Sequence, residues 1–166
     1  MARSAVMNFM KQQGFTQEPP DRATLRFKGL QFQPTIVGSM MLVAILTQSP
    51  AIFLLLSALL WLNVLVPAAN PFENFYNRFV APRSGRPPLT PAPGPRRFAQ
   101  GMAAVFMLAA GLTLLQGWRT ASYVFQGLIV VAFAALLLGK FCLGAYVYHL
   151  LKGDTAFANG TCPWSD

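Results

Sequence analysis

Four long apolar stretches, none with a charged residue inside it, constrain this chain more than any other feature. They cover residues 30–47, 50–68, 98–116 and 121–139. Each is close to the ~20 residues that an α-helix needs to cross the hydrocarbon core of a bilayer. Charged residues make up only 11% of the chain, against about a quarter in a soluble domain. The sequence therefore predicts an all-α polytopic membrane protein, with four transmembrane helices in a membrane domain over residues 30–153.

The connections within each pair of stretches leave room only for a tight turn. Residues 47–50 join the first two stretches, and residues 116–120 join the last two. Ser49 is a favourable N-cap for the second helix, and Pro50 is a favourable first helical residue. The sequence therefore predicts two helical hairpins.

Basic residues lie on one side of this predicted arrangement. The formal net charge is +8, and the Lys and Arg residues fall mainly in the N-terminal arm (1–29), in the central loop (69–97) and after the fourth stretch. By the positive-inside rule we expect the N-terminus, the central loop and the C-terminus to face the cytoplasm. The charge then sets topology and contacts membrane lipids. No nucleic-acid-binding motif accompanies it, so we expect no nucleic-acid partner.

Two segments flanking the apolar stretches have patterns of their own. In residues 1–13, Val6, Phe9 and Met10 share one helical face, which predicts a short helix on the membrane surface or against a partner. The apolar character of the fourth stretch continues to Gly153, so we expect its helix to extend that far. The tail over residues 154–166 is polar and rich in small residues, and we expect it to be flexible.

The central loop begins with a clear helix-start signal. Asn70 precedes Pro71, and Glu73 follows at the third helical position, as in a capping box. Aromatic residues then recur at helical spacing, which predicts a short interfacial helix in the headgroup layer. Six prolines between residues 81 and 95 predict an extended strap. We assign to the interface or lipid surface Phe72, Phe75, Tyr76 and Phe79, with Arg96 and Arg97 anchoring the third span.

Several landmarks together resemble a bacterial membrane family known as domain of unknown function 4395. The resemblance covers about residues 20–153 and implies a four-helix membrane domain with no established activity. It would place the chain in a bacterial inner or intracytoplasmic membrane. The matching elements are Arg26-Phe27, Asn70-Pro71-Phe72, the segment 86–101 with Arg96-Arg97-Phe98-Ala99-Gln100, and Phe141-Cys142-Leu143-Gly144.

The same resemblance implies thiol chemistry at one position. Family members often carry a Cys-x-Gly-Cys motif near the last helix, and some are associated with thioredoxin-like proteins. In this sequence the motif reads Cys142-Leu143-Gly144-Ala145, so a dithiol at that spacing cannot form. Cys142 and the distant Cys162 remain candidate redox residues.

Cys142 and His149 each admit a functional and a structural interpretation. Lys140 would favour the Cys142 thiolate in a hydrated site, whereas a buried cysteine is ordinarily a small packing residue. His149, the single histidine, has the chemistry to ligate haem or chlorophyll, but a position near a helix end also suits helix-dipole stabilisation. One His and two distant Cys do not make a chelating cluster, so we expect no metal site, and no cofactor is predicted.

Three functional hypotheses follow from these features. The first is a non-catalytic accessory or scaffold subunit of a larger bacterial membrane complex, because the chain combines few ionisable groups with several docking-like surface segments. The second is a thiol-redox membrane partner of a thioredoxin-like protein, acting through Cys142. The third is a pigment- or haem-binding subunit that uses His149. No residue pattern in the sequence marks an enzyme active site.

Overall fold

A computed structural model describes residues 2–16 and 19–162, and every regular element in these residues is helical. The all-α prediction is therefore confirmed. A 3-10 turn over Pro67–Ala69 and a π-helical turn over Tyr76–Val80 accompany the α-helices. These are α1 (Ala2–Gln12), α2 (Pro20–Leu30), α3 (Phe32–Thr47), α4 (Pro50–Leu65), α5 (Pro71–Phe75), α6 (Ala81–Ser84), α7 (Gly94–Leu115), α8 (Arg119–Leu137), α9 (Leu143–Leu151) and α10 (Thr155–Gly160).

Among the described residues, three helical segments are long and apolar enough to cross a membrane. They are Arg22–Thr47, Gly94–Leu115 and Arg119–Leu137, with 26, 22 and 19 residues. The first combines α2 and α3, because Gln31 between them keeps a helical backbone, at φ −76° and ψ −14°. The fourth apolar helix, α4, has 16 residues, which is at the short limit for a spanning helix.

α4 packs closely against α7 in the opposite direction. The Ser57 hydroxyl donates to the carbonyl oxygen of Ala104 at 2.8 Å. Leu54, which precedes Ser57 in α4, faces Gly111, which follows Ala104 in α7: a Cβ placed on Gly111 would lie 3.0 Å from the Leu54 side chain. Because sequence positions rise along one helix as they fall along the other, the two helices are antiparallel. Their contact contributes much of a buried apolar core that α3 and α8 complete, built on Val37, Met41, Phe53, Leu56, Leu60, Met107 and Ile129.

Hydrogen bonds that side chains make to neighbouring helices fix how α3, α7 and α8 align near the turn that follows α3. The amide of Gln48, in the turn after α3, donates to Oε1 of Gln126 in α8 at 3.1 Å. The Ser122 hydroxyl donates to the Ala110 carbonyl of α7 at 3.1 Å. Buried polar groups in an apolar core are costly unless they are hydrogen-bonded, so these pairs favour one register of α3, α7 and α8.

The amphipathic face of α1 is covered by the chain itself. Phe9 and Met10 are buried, and the rings of Phe9 and Phe27 meet edge to face with centroids 5.2 Å apart. The Gln12 side chain accepts a hydrogen bond from the backbone N–H of Cys142 at 2.8 Å. The prediction of a helix is confirmed, but the expected membrane or partner contact is replaced by packing on α2 and on the start of α9.

The fourth apolar helix does not continue to Gly153, so that prediction is wrong. α8 ends at Leu137, and Lys140 adopts a left-handed conformation with φ 52°, which an α-helix cannot include. Cys142 is extended, at φ −98° and ψ 98°, and α9 starts after it. The break lets α9 pack against the first turns of α7. The hydropathy pattern carried no signal of this break because both flanking segments are apolar.

The central loop and the tail contain more helix than the sequence predicts. The side-chain oxygen of Asn70 accepts from the N–H groups of Phe72 and Glu73, which confirms the predicted cap. Helical structure then continues as far as Ser84, so the irregular part of the strap is confined to residues 85–93. Part of the tail forms α10, where Ala158 is buried and Asn159 accepts a hydrogen bond from the Tyr146 hydroxyl at 3.0 Å.

Candidate functional site

A cluster of five buried polar side chains lies where α3, α5 and α7 meet. Its centre is Oε1 of Gln33, which accepts from Asn70 Nδ2 at 3.3 Å, from Gln100 Nε2 at 3.1 Å and from Arg96 Nη2 at 3.5 Å. Glu73 completes the set, which we call the polar cluster. Gln33, Arg96 and Gln100 belong to candidate spanning segments, where buried polar groups are usually functional.

Glu73 and Arg96 form the ionisable part of the polar cluster. Glu73 Oε1 lies 3.5 Å from Arg96 Nη2, and the two side chains are only 5% and 6% exposed. Burial raises the pKa of the Glu73 carboxyl above its usual range, while the positive charge of Arg96 opposes the rise. The cluster therefore brings an arginine cation and a carboxyl group that resists ionisation into a nearly water-free environment.

A cavity of about 90 Å³ opens beside the polar cluster. Its wall draws on α1, α2, α3, α4, α7 and α8 and on the start of α9. We call it the Cys142 cavity, because the Cys142 side chain lines it together with the polar side chains of Gln13, Gln33, Arg96 and Gln100. The other lining residues are apolar. Such a cavity, apolar with a few convergent polar groups, is the usual form of a small-molecule site.

Cys142 occupies the N-cap position of α9 and is 5% exposed. Burial raises the pKa of its thiol above the ordinary value. Three weaker influences lower this pKa. They are hydrogen bonds from the backbone N–H groups of Ala145 and Gly144, the positive charge of Arg96, and a hydrogen bond from the Gln13 side chain. The neighbouring cation is thus Arg96, from α7, rather than Lys140. The ammonium group of Lys140 lies 5.9 Å from the centre of the Phe27 ring.

Cys162 lies apart from the wall of the Cys142 cavity. Its carbonyl oxygen accepts from Asn8 Nδ2 at 3.5 Å, and its Sγ lies 3.7 Å from the carbonyl oxygen of Ala158. Neither cysteine forms a disulfide within the described residues, and burial raises the pKa of the Cys162 thiol as well. The structure thus holds the two sulfurs in separate environments, Cys142 against α7 and Cys162 beside α10.

His149 does not line the Cys142 cavity. Its Nε2 lies 3.1 Å from the carbonyl oxygen of Gln12. A carbonyl oxygen can only accept, so Nε2 carries the proton in this contact. The ring packs on Phe157 with centroids 4.7 Å apart. His149 thereby ties α1 to α9 and α10. Within residues 2–16 and 19–162, no group of three His, Cys, Asp or Glu side chains is placed to hold a metal ion.

The residues assigned to the interface or lipid surface divide into two groups. Phe75 and Phe79 are exposed, by 53% and 42%, and Phe72 is half-buried. Tyr76, in contrast, is only 1% exposed, because the π-helical turn directs it toward Gly29. Arg96 belongs to the polar cluster. For Tyr76 and Arg96 the surface assignment is therefore wrong.

Arg97 is half-buried and binds the end of α4. Its Nη2 and Nε donate to the carbonyl oxygen of Val64 at 2.6 Å and 3.1 Å. The last carbonyl groups of a helix have no partner inside the helix. A cation at this end also interacts favourably with the helix dipole, so Arg97 acts as a C-terminal cap supplied by another helix.

Sequence reasoning missed Gln33 and Gln100, the two amides at the heart of the polar cluster. A signal for them existed, because each amide lies inside a stretch that is predominantly apolar and contains no charged residue. Polar amides within predicted spans usually hydrogen-bond to a neighbouring helix. The partner of Glu73 had no such signal, since Arg96 lies 23 residues away and at the start of a different helix.

The model of one protein family, Domain of unknown function (DUF4395), matches residues 27–152. The chain belongs to the DUF4395 family. No curated protein and no solved structure matches it. The DUF4395 region runs from the end of α2 to the end of α9 and includes the polar cluster and Cys142. α1 and Cys162 lie outside it.

Proposed function

We propose that this chain is a membrane thiol protein in which Cys142 undergoes thiol–disulfide exchange. The observation that carries the proposal is the position of this sulfur. Cys142 lines a cavity, at the N-terminus of a helix and close to a buried arginine. Backbone N–H groups at a helix N-terminus and a nearby cation both stabilise a thiolate.

The resting thiol is held in its protonated form. Burial is the largest influence on Cys142 and raises its pKa, so the free thiol is protected from unspecific oxidation. When a disulfide enters and the thiolate forms, the N–H groups of Gly144 and Ala145 and the Arg96 cation are already in place to stabilise it. The site therefore favours reaction with a bound disulfide over reaction with reagents in bulk water.

The exchange proceeds in two balanced steps. The Cys142 thiolate attacks one sulfur of the incoming disulfide, a new S–S bond forms, and the leaving thiolate takes up the proton that Cys142 released. Because residue 145 is alanine, a thiol from elsewhere must resolve the mixed disulfide. A dithiol protein of the thioredoxin class supplies it. One of its thiols attacks the Cys142 sulfur and releases the rest of the original disulfide as a thiol; its second thiol then displaces Cys142 and closes the partner's own disulfide, so Cys142 is reduced again.

We place this site in a bacterial inner or intracytoplasmic membrane that the chain crosses four times. The turn at Gln48-Ser49 between α3 and α4 leaves no room for a separate connection, so α4 returns through the bilayer although it has only 16 residues. Such a short helix is accommodated by local thinning of the bilayer. Both termini and the loop with the polar cluster then lie on the cytoplasmic side, where basic residues are favoured.

Titration of the detergent-solubilised protein with 4,4′-dithiodipyridine, a small neutral disulfide, tests the exchange. In the Cys162→Ser variant we expect one equivalent of released pyridine thione, and in the Cys142→Ser/Cys162→Ser variant we expect none. In membranes, the same Cys162→Ser chain should form a disulfide-linked adduct with a dithiol protein whose resolving cysteine is replaced. Failure of the folded Cys162→Ser protein to react would overturn the proposal.

A second candidate function, an accessory subunit of a larger membrane complex, is favoured by a different observation. Phe75 and Phe79 are exposed next to each other, with ring centroids 5.0 Å apart, outside the candidate spanning segments. Adjacent exposed aromatic side chains are typical of interaction surfaces. A stoichiometric partner should co-purify in mild detergent and be lost in Phe75→Ser/Phe79→Ser. Purification of the wild-type chain alone after crosslinking would exclude this role.

A further inference from the structure

The wall of the Cys142 cavity has a polar part and an apolar part. Arg96, Gln33 and Gln100 form the polar part. The apolar part includes Pro34 of α3 and Ala132 and Leu136 of α8, which are half-buried. Both helices belong to candidate membrane spans, so this wall separates the cavity from the hydrocarbon region of the bilayer.

The Arg96 guanidinium in the polar part of the wall retains unused capacity to bind an anion. Among the described residues, the Arg96 guanidinium contacts Oε1 of Glu73 and Oε1 of Gln33, in both cases through Nη2 at 3.5 Å. Charge-assisted hydrogen bonds are usually 2.7–2.9 Å long, and a guanidinium has five N–H donors in a fork that matches a carboxylate.

We propose that the Cys142 cavity binds the carboxylate head of a long-chain fatty acid, with the acyl chain leaving toward the bilayer between α3 and α8. A carboxylate is small enough for a cavity of about 90 Å³, whereas the glycerophosphate head of a phospholipid is much larger. Its two oxygens accept from Arg96, and the apolar wall accommodates the first methylene groups. This inference goes beyond thiol exchange and does not depend on it, since no step involves the Cys142 sulfur.

Equilibrium binding of radiolabelled palmitate to the protein in phosphatidylcholine nanodiscs tests this site. We expect saturable binding of one palmitate per chain, which unlabelled palmitate displaces and hexadecanol, with the same chain but no charge, does not. Arg96→Gln should weaken binding about tenfold or more, as expected for loss of one hydrogen bond to a charged group. Ala103→Leu, which fills the cavity from α7, should abolish it.

Ala109→Leu is the matched control, because Ala109 is another half-buried alanine of α7 that does not line the cavity. It should bind palmitate as the wild type does. Palmitate binding is measured without any disulfide reagent, so loss of thiol exchange and loss of fatty-acid binding are separate results. Equal displacement by hexadecanol, unchanged binding in Ala103→Leu, or a co-purified phospholipid in the cavity would overturn the proposal. If Arg96→Gln does not fold, Ala103→Leu decides.

Discussion

At the scale of single residues, close packing explains why a glycine, Gly144, stands two positions after Cys142. A Cβ placed on Gly144 would lie 2.6 Å from both the Cα and the Cβ of Ala99, a distance that real side chains do not tolerate. The missing side chain therefore lets α9 approach α7 closely enough to bring Cys142 beside Arg96. The glycine at position 144 is therefore explained by packing alone.

Gly144→Ala should destabilise the protein by about 1–3 kcal/mol, the usual cost of overpacking. The measurement is thermal unfolding in detergent. Gly127→Ala in α8 is the control, since nothing lies within 4 Å of its added Cβ and alanine is the better helix former. Equal unfolding temperatures for Gly144→Ala and the wild type would contradict the close approach of α9 and α7.

Glu73 should make the stability depend on pH. Because burial raises its pKa in the folded protein, the folded state binds the proton more tightly than the unfolded state. Stability is therefore highest below the usual pKa of a glutamate and falls as pH rises through the raised value. Glu73→Gln should remove this part of the slope of unfolding temperature against pH.

Asp154→Asn is the control for this prediction, since Asp154 is exposed and lies outside the polar cluster. The variant should keep the slope of the wild type. A stability that instead rises with pH over the same window, and loses this rise in Glu73→Gln, would mean that the ion pair with Arg96 outweighs burial.

At the scale of helices, the sequence predicts helix ends correctly where a single local rule, such as capping or a loss of apolar residues, determines them. The cap at Asn70 follows from local chemistry, and the turns at residues 48–49 and 116–118 follow from abrupt losses of apolar character. The end of α8 could not be predicted in this way, because the left-handed conformation of Lys140 is favoured by the packing of α9 on α7. The partners of Gln33 and Arg97 likewise depend on which helices are neighbours.

Arg97 should stabilise the α4–α7 contact by capping α4. Arg97→Ala removes two hydrogen bonds to the Val64 carbonyl and should cost about 1.5–3 kcal/mol, as for other bonds to a charged group. Arg83→Ala, which removes an exposed arginine of α6, should leave the unfolding temperature unchanged. If Arg97→Ala and Arg83→Ala unfold at the same temperature, Arg97 does not cap α4, and its positive charge serves only to orient the chain in the membrane.

At the scale of the whole molecule, the basic residues should fix one orientation in the membrane. We expect reporter fusions at the N-terminus, at residue 85 in the strap and at the C-terminus to be active on the cytoplasmic side. A fusion at residue 48, between α3 and α4, should be active on the opposite side. Cytoplasmic activity of the fusion at residue 48 would show that α4 does not complete the fourth crossing.

The location and state of the Cys142 sulfur are central to this account. The most direct measurement is its rate of alkylation in proteoliposomes of the Cys162→Ser protein. We predict slow labelling at neutral pH that accelerates as pH rises beyond the range of an ordinary thiol, because burial raises the Cys142 pKa. N-ethylmaleimide should label it, a bulky charged maleimide should not, and Ala103→Leu should slow the reaction. Rapid labelling of Cys142 by the charged reagent at neutral pH would contradict the account.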